Sequence, residues 1–314
     1  MRILVFGAGA IGSVLGGLLA ESGHEVTLLG RAWHLDAVRR QGLAITGLWG
    51  EHRIANLALV VRPEEIERGP EFDWVFVCVK AHQTVEVADV LPRVLGPRTL
   101  VCAFQNGLGN YEALITRVAS ERIALGRVIF GAELEPGTIR VTVCADDVLI
   151  GAPDQRFPRA RVVQLASALQ ESGVPTRVTA SILDELWAKV LYNCALNGLS
   201  TVLEVPYGKL LEHPLARRIM QAVIEEAYRV AEAHRISLKP STAEAYRELL
   251  FARLVPDTAA HQSSMLQDVR RGKPTEIEAL NGAILRLAQQ VGVSAPMNAL
   301  VTRLVHAKER FVVL

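Results

Sequence analysis

The sequence predicts an α/β domain over residues 1–180, followed by an all-helical domain over residues 181–314. A chain of 314 residues is long enough for two domains. Up to residue 180, short β-branched and aliphatic runs alternate with helical patterns, which is typical of a parallel sheet covered by helices. Beyond residue 181 this alternation stops, and long runs with helical spacing of apolar residues follow. No low-complexity linker marks the boundary, so we predict it from the change of pattern alone.

The composition is that of a globular protein with balanced charge. Half of the residues are hydrophobic and 21% are charged, which excludes a disordered or collagen-like chain. Basic and acidic residues number 34 and 33, and this balance disfavours a nucleic-acid partner. The four cysteines show no CxxC spacing and the eight histidines show no paired spacing. We therefore expect reduced, buried cysteines and no metal site.

The uncharged stretch Ile3–Ala20 is the one segment that could pass for a signal peptide or a membrane span. It contains five glycines, which is a poor composition for a continuous apolar helix. No other segment is a candidate span. We therefore expect a soluble, cytoplasmic protein without a membrane partner.

The predicted first strand, Arg2–Phe6, runs directly into a glycine-rich turn. A helix is predicted over Ser13–Ser22 and a second strand over Glu25–Leu29. In this context a GxGxxG pattern is typical of a Rossmann dinucleotide site, because the glycines allow a tight turn and close approach of a pyrophosphate. The alternative is a glycine-rich surface turn. The predicted cofactor-binding residues are Gly7, Ala8, Gly9, Ala10, Ile11 and Gly12.

The end of the second strand predicts which nicotinamide dinucleotide binds. NAD sites usually place Asp or Glu there, about 20 residues beyond the glycines, on the ribose 2′-hydroxyl. Here the sequence reads Leu28-Leu29-Gly30-Arg31, without a carboxylate. The Arg31 guanidinium suits a 2′-phosphate, so we predict NADPH as the cofactor. The alternative is that Arg31 only solvates the end of the strand.

Two further apolar runs, Asp73–Val79 and Thr99–Phe104, are typical of strands in a parallel sheet that is covered on both faces. Lys80 follows the first run, and Asn106 follows the second after one residue. Ligands of open α/β sheets bind beyond the carboxyl ends of the strands, which makes Lys80 and Asn106 candidate cofactor contacts. Each is also compatible with an ordinary turn at a strand end. Further strands are predicted over Val141–Ile150 and Thr176–Thr179.

A long, mostly apolar helix is predicted over Ile182–Leu203, and three polar residues recur on it at every fourth position: Lys189, Asn193 and Asn197. A step of four residues advances only about 40° around a helix, so the three side chains share one side. The alternative is a solvent-exposed face, which most surface helices carry. Asn is a poor helix former, however, and two of them in mid-helix need a tertiary reason. We therefore predict a functional polar stripe.

Two segments near the C-terminus carry further polar candidates. Ser263–Asp268 opens one predicted helix, and Thr275–Glu278 opens the next, with Asn281-Gly282 inside it. Glu276 is either an acid favoured by the helix dipole or a ligand of the substrate, and nothing local separates the two.

Taken in order, these motifs resemble the ketopantoate reductase (2-dehydropantoate 2-reductase) family over nearly the whole chain. The C-terminal blocks are the specific ones, since the glycine turn alone fits many dehydrogenases. The resemblance implies an N-terminal Rossmann domain that binds NADPH and an all-helical C-terminal domain that closes over the substrate. The matching blocks are the glycine turn, Arg31, Val79-Lys80, Gln105-Asn106-Gly107, Trp187-Ala188-Lys189 with Asn193 and Asn197, Ser263–Asp268, Thr275-Glu276-Ile277 and Pro296-Met297-Asn298.

The resemblance also implies roles for these residues in the reduction of 2-dehydropantoate to (R)-pantoate, a step toward pantothenate and coenzyme A. It makes Lys189 the catalytic acid, which suits a carbonyl oxygen that becomes negative as hydride reaches C2. It makes Asn106 a contact at the nicotinamide, and Arg31 and Lys80 ligands of the 2′-phosphate. The implied substrate-binding residues are Asn193, Asn197, Ser264 and Glu276.

Two departures from the family pattern concern the choice of substrate. Many members carry a His and two glycines where this chain reads Thr138–Cys144, and some carry Asn where this chain has Tyr207. An NADPH reductase of another branched 2-oxo acid, or of an imine, is therefore an alternative. Lys189 and Glu276 disfavour a non-catalytic NADP-binding sensor. The absence of an acidic residue near Arg31 disfavours a hydroxy-acid dehydrogenase that works oxidatively with NAD. The apolar helical faces beyond residue 181 leave a homodimer open.

Overall fold

The computed structural model describes residues 1–66 and 70–312, which form two compact units. The first unit comprises Met1–Asn106 and Asn110–Leu183, and the second comprises Gly107–Gly109 with the chain from Asp184 onward. Every strand of the described residues belongs to the first unit. The predicted fold class, a Rossmann-type α/β domain followed by an all-helical domain, is confirmed.

The strands of the first unit form two sheets. The larger has the order β12-β11-β8-β7-β6-β1-β2-β5, and all of its pairs are parallel except β8 with β11. The smaller has the order β4-β3-β10-β9, in which only β3 and β10 are parallel. The strands are β1 (Arg2–Phe6), β2 (Glu25–Leu29), β3 (Leu43–Gly47), β4 (His52–Ile54), β5 (Leu57–Val60), β6 (Trp74–Val77), β7 (Leu100–Ala103), β8 (Ile123–Arg127), β9 (Phe130–Glu135), β10 (Thr138–Cys144), β11 (Val148–Gly151) and β12 (Thr176–Val178).

The helices are α1 (Ala10–Glu21), α2 (Ala32–Gln41), α3 (Thr84–Val94), α4 (Asn110–Leu114), α5 (Arg159–Glu171), α6 (Ile182–Leu203), α7 (Tyr207–Glu212), α8 (Pro214–Ala233), α9 (Ala243–Leu249), α10 (Ser264–Arg270), α11 (Asn281–Val291) and α12 (Pro296–Val312). Short 3-10 turns lie at Pro63–Glu65, Ala81–Gln83, Ser120–Arg122, Pro256–Thr258 and Ile277–Ala279, and one π-helical turn lies at Leu250–Leu254.

Helix α1 explains the uncharged N-terminal stretch. It contacts the large sheet on one side and the strands of the small sheet on the other, and its residues from Gly12 to Ala20 are all buried. A Cβ on Gly16 would lie 2.7 Å from Leu28 Cδ2, and one on Gly17 would lie 2.8 Å from Leu43 Cδ2. The glycines therefore let both sheets approach the helix closely. Among the described residues, no helix is long and apolar enough to cross a membrane.

The single strand predicted over Val141–Ile150 is wrong, because the structure divides this stretch between β10 and β11 in different sheets. The charged pair Asp146-Asp147 lies between the two strands, and Asp146 accepts a 2.5 Å hydrogen bond from Arg127. The small sheet was not predicted from the sequence.

All four cysteines are free, as expected, but Cys78 and Cys144 are only partly buried.

A buried histidine joins three segments beside the glycine turn. His34 in α2 is 1% exposed, and its Nδ1 accepts a hydrogen bond from the Gly137 N–H at 3.1 Å. The neutral ring therefore carries its proton on Nε2, which donates to Ser13 Oγ in α1 at 3.2 Å. Burial lowers the pKa of His34 from its ordinary value of 6.5. The neutral ring thus stabilises the packing of α1 and α2 on the β9–β10 turn.

The protein should lose stability on acidification in part through His34. Because the folded-state pKa lies below 6.5, the unfolded chain takes up the proton first as the pH falls through that value. We expect the advantage in Tm of the wild type over His34→Gln to shrink between about pH 7.5 and about pH 5.5. Thermal unfolding followed by circular dichroism at both pH values tests this. If the Tm values of the two proteins fell in parallel as the pH decreased, other groups would be responsible for the loss of stability in acid.

The second unit is built around α6. A buried apolar cluster joins the side chains of α6 to those of α8, α11 and α12. A Cβ on Gly198 would overlap Val301 of α12, so this glycine allows close packing of the two helices. From Ile182 to Val202 every residue of α6 is buried or half-buried.

Candidate active site

Four candidate residues of the first unit lie at one edge of the large sheet. Strands β7, β6, β1 and β2 are neighbours and run parallel, so their carboxyl ends share that edge. Gly7, Arg31, Lys80 and Asn106 follow these ends. This is the edge at which open α/β sheets bind ligands, because the chain leaves in opposite directions on either side of β1.

The glycine turn has the shape that a dinucleotide site needs. Gly7 has a φ of +110°, and a Cβ there would lie 2.7 Å from the backbone nitrogen of Val79. A Cβ on Gly12 would overlap the carbonyl of Gly7 and approach Val5 to 2.9 Å. Only glycine satisfies both positions. A Cβ on Gly9, in contrast, would meet no protein atom within 4 Å, so the backbone of Gly9 faces open space.

The hydrogen bonds of this turn show which amides are available to an anion. The N–H groups of Gly7 and Ala8 both donate to the Leu29 carbonyl, at 3.0 and 2.8 Å. These two residues therefore shape the turn and join it to β2. Helix α1 begins at Ala10, three residues earlier than predicted, with Gly9 as an N-cap that supplies no side-chain bond. The first-turn amides of α1 are thus the donors that fit a pyrophosphate.

Arg31 lies next to the glycine turn. A Cβ on Gly30 would lie 2.6 Å from the Cβ of Ala8, so the end of β2 is in contact with the turn. Arg31 is the N-cap residue of α2 and is exposed. This position suits a guanidinium that reaches the ribose end of a dinucleotide, and the stretch from Leu28 to Arg31 contains no carboxylate.

Lys80 and Asn106 follow neighbouring strands in segments joined by buried side chains. Lys80 is half-buried and caps the 3-10 turn before α3. Gln105 Nε2 donates to the Thr84 hydroxyl at 2.7 Å, and that hydroxyl donates to Asn110 Oδ1 at 2.8 Å. Asn110 Nδ2 then donates to the backbone carbonyl of Asn106 at 2.9 Å. This network fixes the two strand ends relative to each other.

The polar stripe of α6 is not a solvent-exposed face. The predicted helix over Ile182–Leu203 is confirmed with the same bounds, so Lys189, Asn193 and Asn197 share one side over about 12 Å of helix length. Lys189 and Asn193 are half-buried, and Asn197 is only 5% exposed. The Asn193 side chain makes no hydrogen bond with any residue that the structure describes, although its backbone belongs to the helix. Partly covered amides with remaining donors and acceptors are what a small polar ligand requires.

Asn197 is held in place by hydrogen bonds to neighbouring side chains. Its Oδ1 accepts a 2.6 Å hydrogen bond from the Tyr207 hydroxyl. Its backbone carbonyl accepts a bond from the Thr201 hydroxyl at 2.7 Å, and that hydroxyl lies 3.2 Å from Ser263 Oγ. Ser263 caps α10 by accepting from the Leu266 amide at 3.1 Å. The next residue, Ser264, is exposed in the first turn of α10.

Glu276 is 8% exposed and precedes a 3-10 turn over Ile277–Ala279. The prediction of one helix opening at Thr275 with Asn281-Gly282 inside it is wrong. Leu280 has a φ of −109° and a ψ of −107°, which is not a helical conformation, so the helix α11 begins only at Asn281. The Ala279 carbonyl accepts a 2.8 Å bond from the Leu108 amide, so the Gly107–Gly109 loop packs on this turn. Glu276 is therefore not an ordinary acid in the first turn of an α-helix.

The structure adds a buried carboxylate that the sequence pattern did not single out. Glu226 of α8 is 4% exposed and accepts from the Asn298 amide and side chain, at 2.9 and 2.8 Å. Asn298 accepts from Asn281 Nδ2 at 3.0 Å, and Asn281 also donates to the carbonyl of Cys194 at 3.1 Å. This chain of bonds ends on α6 between Asn193 and Asn197. The sequence feature that could have identified this residue is the position of a glutamate on the apolar side of α8.

An open parallel sheet with a glycine turn at its carboxyl edge, followed by a helical unit that carries a Lys–Asn–Asn stripe, defines the class of nicotinamide-dinucleotide-dependent reductases. Within that class, the chain belongs to the ketopantoate reductase family. The family model described as ketopantoate reductase PanE/ApbA matches residues 3–155, and the model of its C-terminal part matches residues 181–309. The predicted family is thereby confirmed.

Individual relatives cover the chain from end to end. The 2-dehydropantoate 2-reductase of Aquifex aeolicus is 38% identical over 312 residues, which is 99% of this chain and 98% of that protein. A solved 2-dehydropantoate 2-reductase from Geobacter metallireducens has a TM-score of 0.89 at 27% identity and covers 98% of this chain and 99% of its own. A D-mandelate dehydrogenase solved with NADH and anilino(oxo)acetate has a TM-score of 0.87 at 29% identity, with both chains fully covered.

Proposed function

We propose that this chain reduces 2-dehydropantoate to (R)-pantoate with NADPH, as a step toward pantothenate and coenzyme A. The observation that carries the proposal is the covered stripe of Lys189, Asn193 and Asn197 on one side of α6. A full-length relative at 38% identity is a 2-dehydropantoate 2-reductase, which supports the same substrate. A sensor of NADP would have no need for an ammonium group on a covered polar stripe.

The glycine turn and Arg31 are the residues that would hold the cofactor. The first-turn amides of α1 suit its pyrophosphate, and the open space at Gly9 permits the close approach. Arg31 and Lys80 would bind the 2′-phosphate, and Asn106 would contact the nicotinamide end. When bound, NADPH supplies the hydride that reduces C2 of the 2-oxo acid.

Lys189 would act on the carbonyl oxygen of the substrate. As C2 is reduced, negative charge grows on that oxygen, and an ammonium beside it stabilises the charge and donates the proton that completes the alcohol. Asn193 and Asn197 would orient the 2-oxo acid by hydrogen bonds without changing the net charge around Lys189. The covered position of the stripe limits competition by water for these bonds.

Glu276 and Ser264 would contact the remainder of the substrate. The Glu276 carboxylate can accept a hydrogen bond from the 4-hydroxyl of 2-dehydropantoate, a group that simpler 2-oxo acids lack. Ser264 carries an exposed hydroxyl in the first turn of α10. The preceding residue, Ser263, caps that helix and is linked to the Asn197 backbone through the Thr201 hydroxyl. Together they would distinguish 2-dehydropantoate from smaller 2-oxo acids.

The structural similarity to D-mandelate dehydrogenase suggests a second candidate function. That protein was solved with NADH and an oxo acid with an aromatic ring, and it covers this chain in full. An NADH-dependent reductase of aryl 2-oxo acids would use the same stripe. The absence of a carboxylate between Leu28 and Arg31 favours NADPH and therefore the first candidate.

Oxidation of NADPH and NADH by the purified protein, followed by absorbance, tests both candidates. We expect kcat/KM for 2-dehydropantoate with NADPH to exceed that for 2-oxoisovalerate, 2-oxopantoyl lactone, pyruvate and phenylglyoxylate. Preference for phenylglyoxylate with NADH would establish the second candidate instead. Binding of NADPH with no turnover of any of the five compounds would overturn the proposal in favour of a sensor.

Replacing Arg31 should change the choice of cofactor. Loss of a charge-assisted hydrogen bond to the 2′-phosphate costs about 1.5–3 kcal/mol, so Arg31→Ala should lower the NADPH-to-NADH ratio of kcat/KM by about 10- to 150-fold. Arg40→Ala, an exposed arginine farther along α2, is the matched control and should leave the ratio unchanged. An unchanged NADPH-to-NADH ratio of kcat/KM in Arg31→Ala would show that Arg31 does not bind the 2′-phosphate.

A further inference from the structure

Tyr207 lies at the start of α7 with its ring enclosed by the second unit. It is 2% exposed, and its hydroxyl lies 2.6 Å from Oδ1 of Asn197 on α6. Burial raises the pKa of Tyr207 well above its usual range, so the phenol keeps its proton. An Asn carbonyl oxygen only accepts, and the phenol is therefore the donor in this bond.

The Tyr207 ring has little freedom to move. Its backbone amide donates to the His261 carbonyl at 3.1 Å, and the next amide, of Gly208, donates to the Ala259 carbonyl at 2.9 Å. The ring packs edge-on against Tyr192 at a centroid distance of 5.9 Å and tilted against His261 at 5.2 Å. The hydroxyl is thus delivered to Asn197 from a rigid support.

A fixed donor at Oδ1 determines which way the Asn197 carboxamide points. The two ends of an amide are nearly equal in size, so packing alone does not choose between the two orientations that differ by a half-turn. The hydrogen bond from Tyr207 stabilises the orientation in which Oδ1 of Asn197 points toward α7. The Nδ2 hydrogens then point away from Tyr207, and they have no acceptor among the residues that the structure describes.

We infer that Tyr207 is a positioning residue for the substrate: it holds Asn197 so that the carboxamide presents N–H donors to an acceptor oxygen of the 2-oxo acid. This inference rests on the proposed function, because Asn197 must face the substrate. A 2-oxo acid offers acceptors at its carboxylate and its ketone, both of which match a donor. Tyr207 also selects against ligands that would present a donor to Asn197, since the amide cannot turn over without breaking the 2.6 Å bond.

The variant Tyr207→Phe removes the hydroxyl and retains the ring. The net contribution of such a hydrogen bond is about 0.5–1.5 kcal/mol, so we expect KM for 2-dehydropantoate to rise about three- to tenfold. We expect kcat and the KM for NADPH to change by less than about twofold, which is below the lower end of that range. Tyr192→Phe is the matched control. It removes the hydroxyl that lies 2.7 Å from Thr258 Oγ1 in the same aromatic cluster, and it should change none of these values.

A double-mutant cycle separates positioning from a general loss of packing. In an Asn197→Ala background the amide to be oriented is absent, so adding Tyr207→Phe should raise KM no further. Equal increases of KM in both backgrounds, or an increase in Tyr207→Phe no larger than in Tyr192→Phe, would overturn the inference. Thermal unfolding of each variant identifies any that is poorly folded. If the wild type turns over none of the 2-oxo acids, the proposed function fails, and that result is distinct from unaltered kinetics in Tyr207→Phe.

Discussion

Lys189→Ala should lower kcat for 2-dehydropantoate by about 10²–10⁴, which is the usual effect of removing a positioned general acid. Under the proposed function, this substitution removes both the cation that stabilises the growing charge on the C2 oxygen and the group that donates the proton. The half-buried position of Lys189 on α6 limits rescue by solvent. Binding of NADPH should be nearly unchanged, because the glycine turn and Arg31 belong to the other unit. Steady-state kinetics together with fluorescence titration of NADPH measures both quantities.

Two further variants make this prediction specific. Lys209→Ala removes a lysine of the same unit that is exposed and paired with Glu212 at 2.7 Å, and it should leave kcat unchanged. Lys189→Arg keeps the positive charge, but a guanidinium holds its proton too strongly to donate it, so KM should be better preserved than kcat. A loss of tenfold or less in Lys189→Ala would fall below the range for a general acid and would place the proton donor elsewhere.

The sequence predicted the parts of the fold that depend on local spacing. Strands β1 and β2 and helix α6 were predicted with the bounds that the structure shows, because each is set by the pattern of its own residues. The four-stranded sheet was missed since it depends on distant pairing. Strand β10 pairs with β3 so that Thr138 lies opposite Ala44, and no local pattern encodes that contact.

The candidate site shows the same limit. The stripe on α6 could be predicted because its three residues share one helix and one spacing. The bond between Asn197 and Tyr207 joins two helices, and the sequence marks Tyr207 only as a departure from the pattern of the family. The bond of Glu226 to Asn298 joins residues even farther apart along the chain. Such side-chain partners are determined by packing, which only the folded structure supplies.

Glu276→Ala should reveal whether this carboxylate recognises the 4-hydroxyl of 2-dehydropantoate. A hydrogen bond to a charged group contributes about 1.5–3 kcal/mol, so kcat/KM for 2-dehydropantoate should fall about 10- to 150-fold. The analogue 3,3-dimethyl-2-oxobutanoate lacks only that hydroxyl, and its kcat/KM should fall by less than about threefold, since it never made the bond. Kinetics of wild type and variant with both compounds gives the comparison directly.

The paired substrates distinguish recognition from damage to the fold. Glu276 is 8% exposed beside the turn on which the Gly107–Gly109 loop packs. If its role were purely structural, Glu276→Ala would lower kcat/KM equally for both compounds. Glu278→Ala is the matched control, because Glu278 is exposed, bonds to Arg286 at 2.5 Å and should affect neither compound. Equal losses for the two substrates in Glu276→Ala, together with a raised KM for NADPH, would make Glu276 a structural acid. A loss confined to 2-dehydropantoate would make the 4-hydroxyl the feature by which this site selects its substrate.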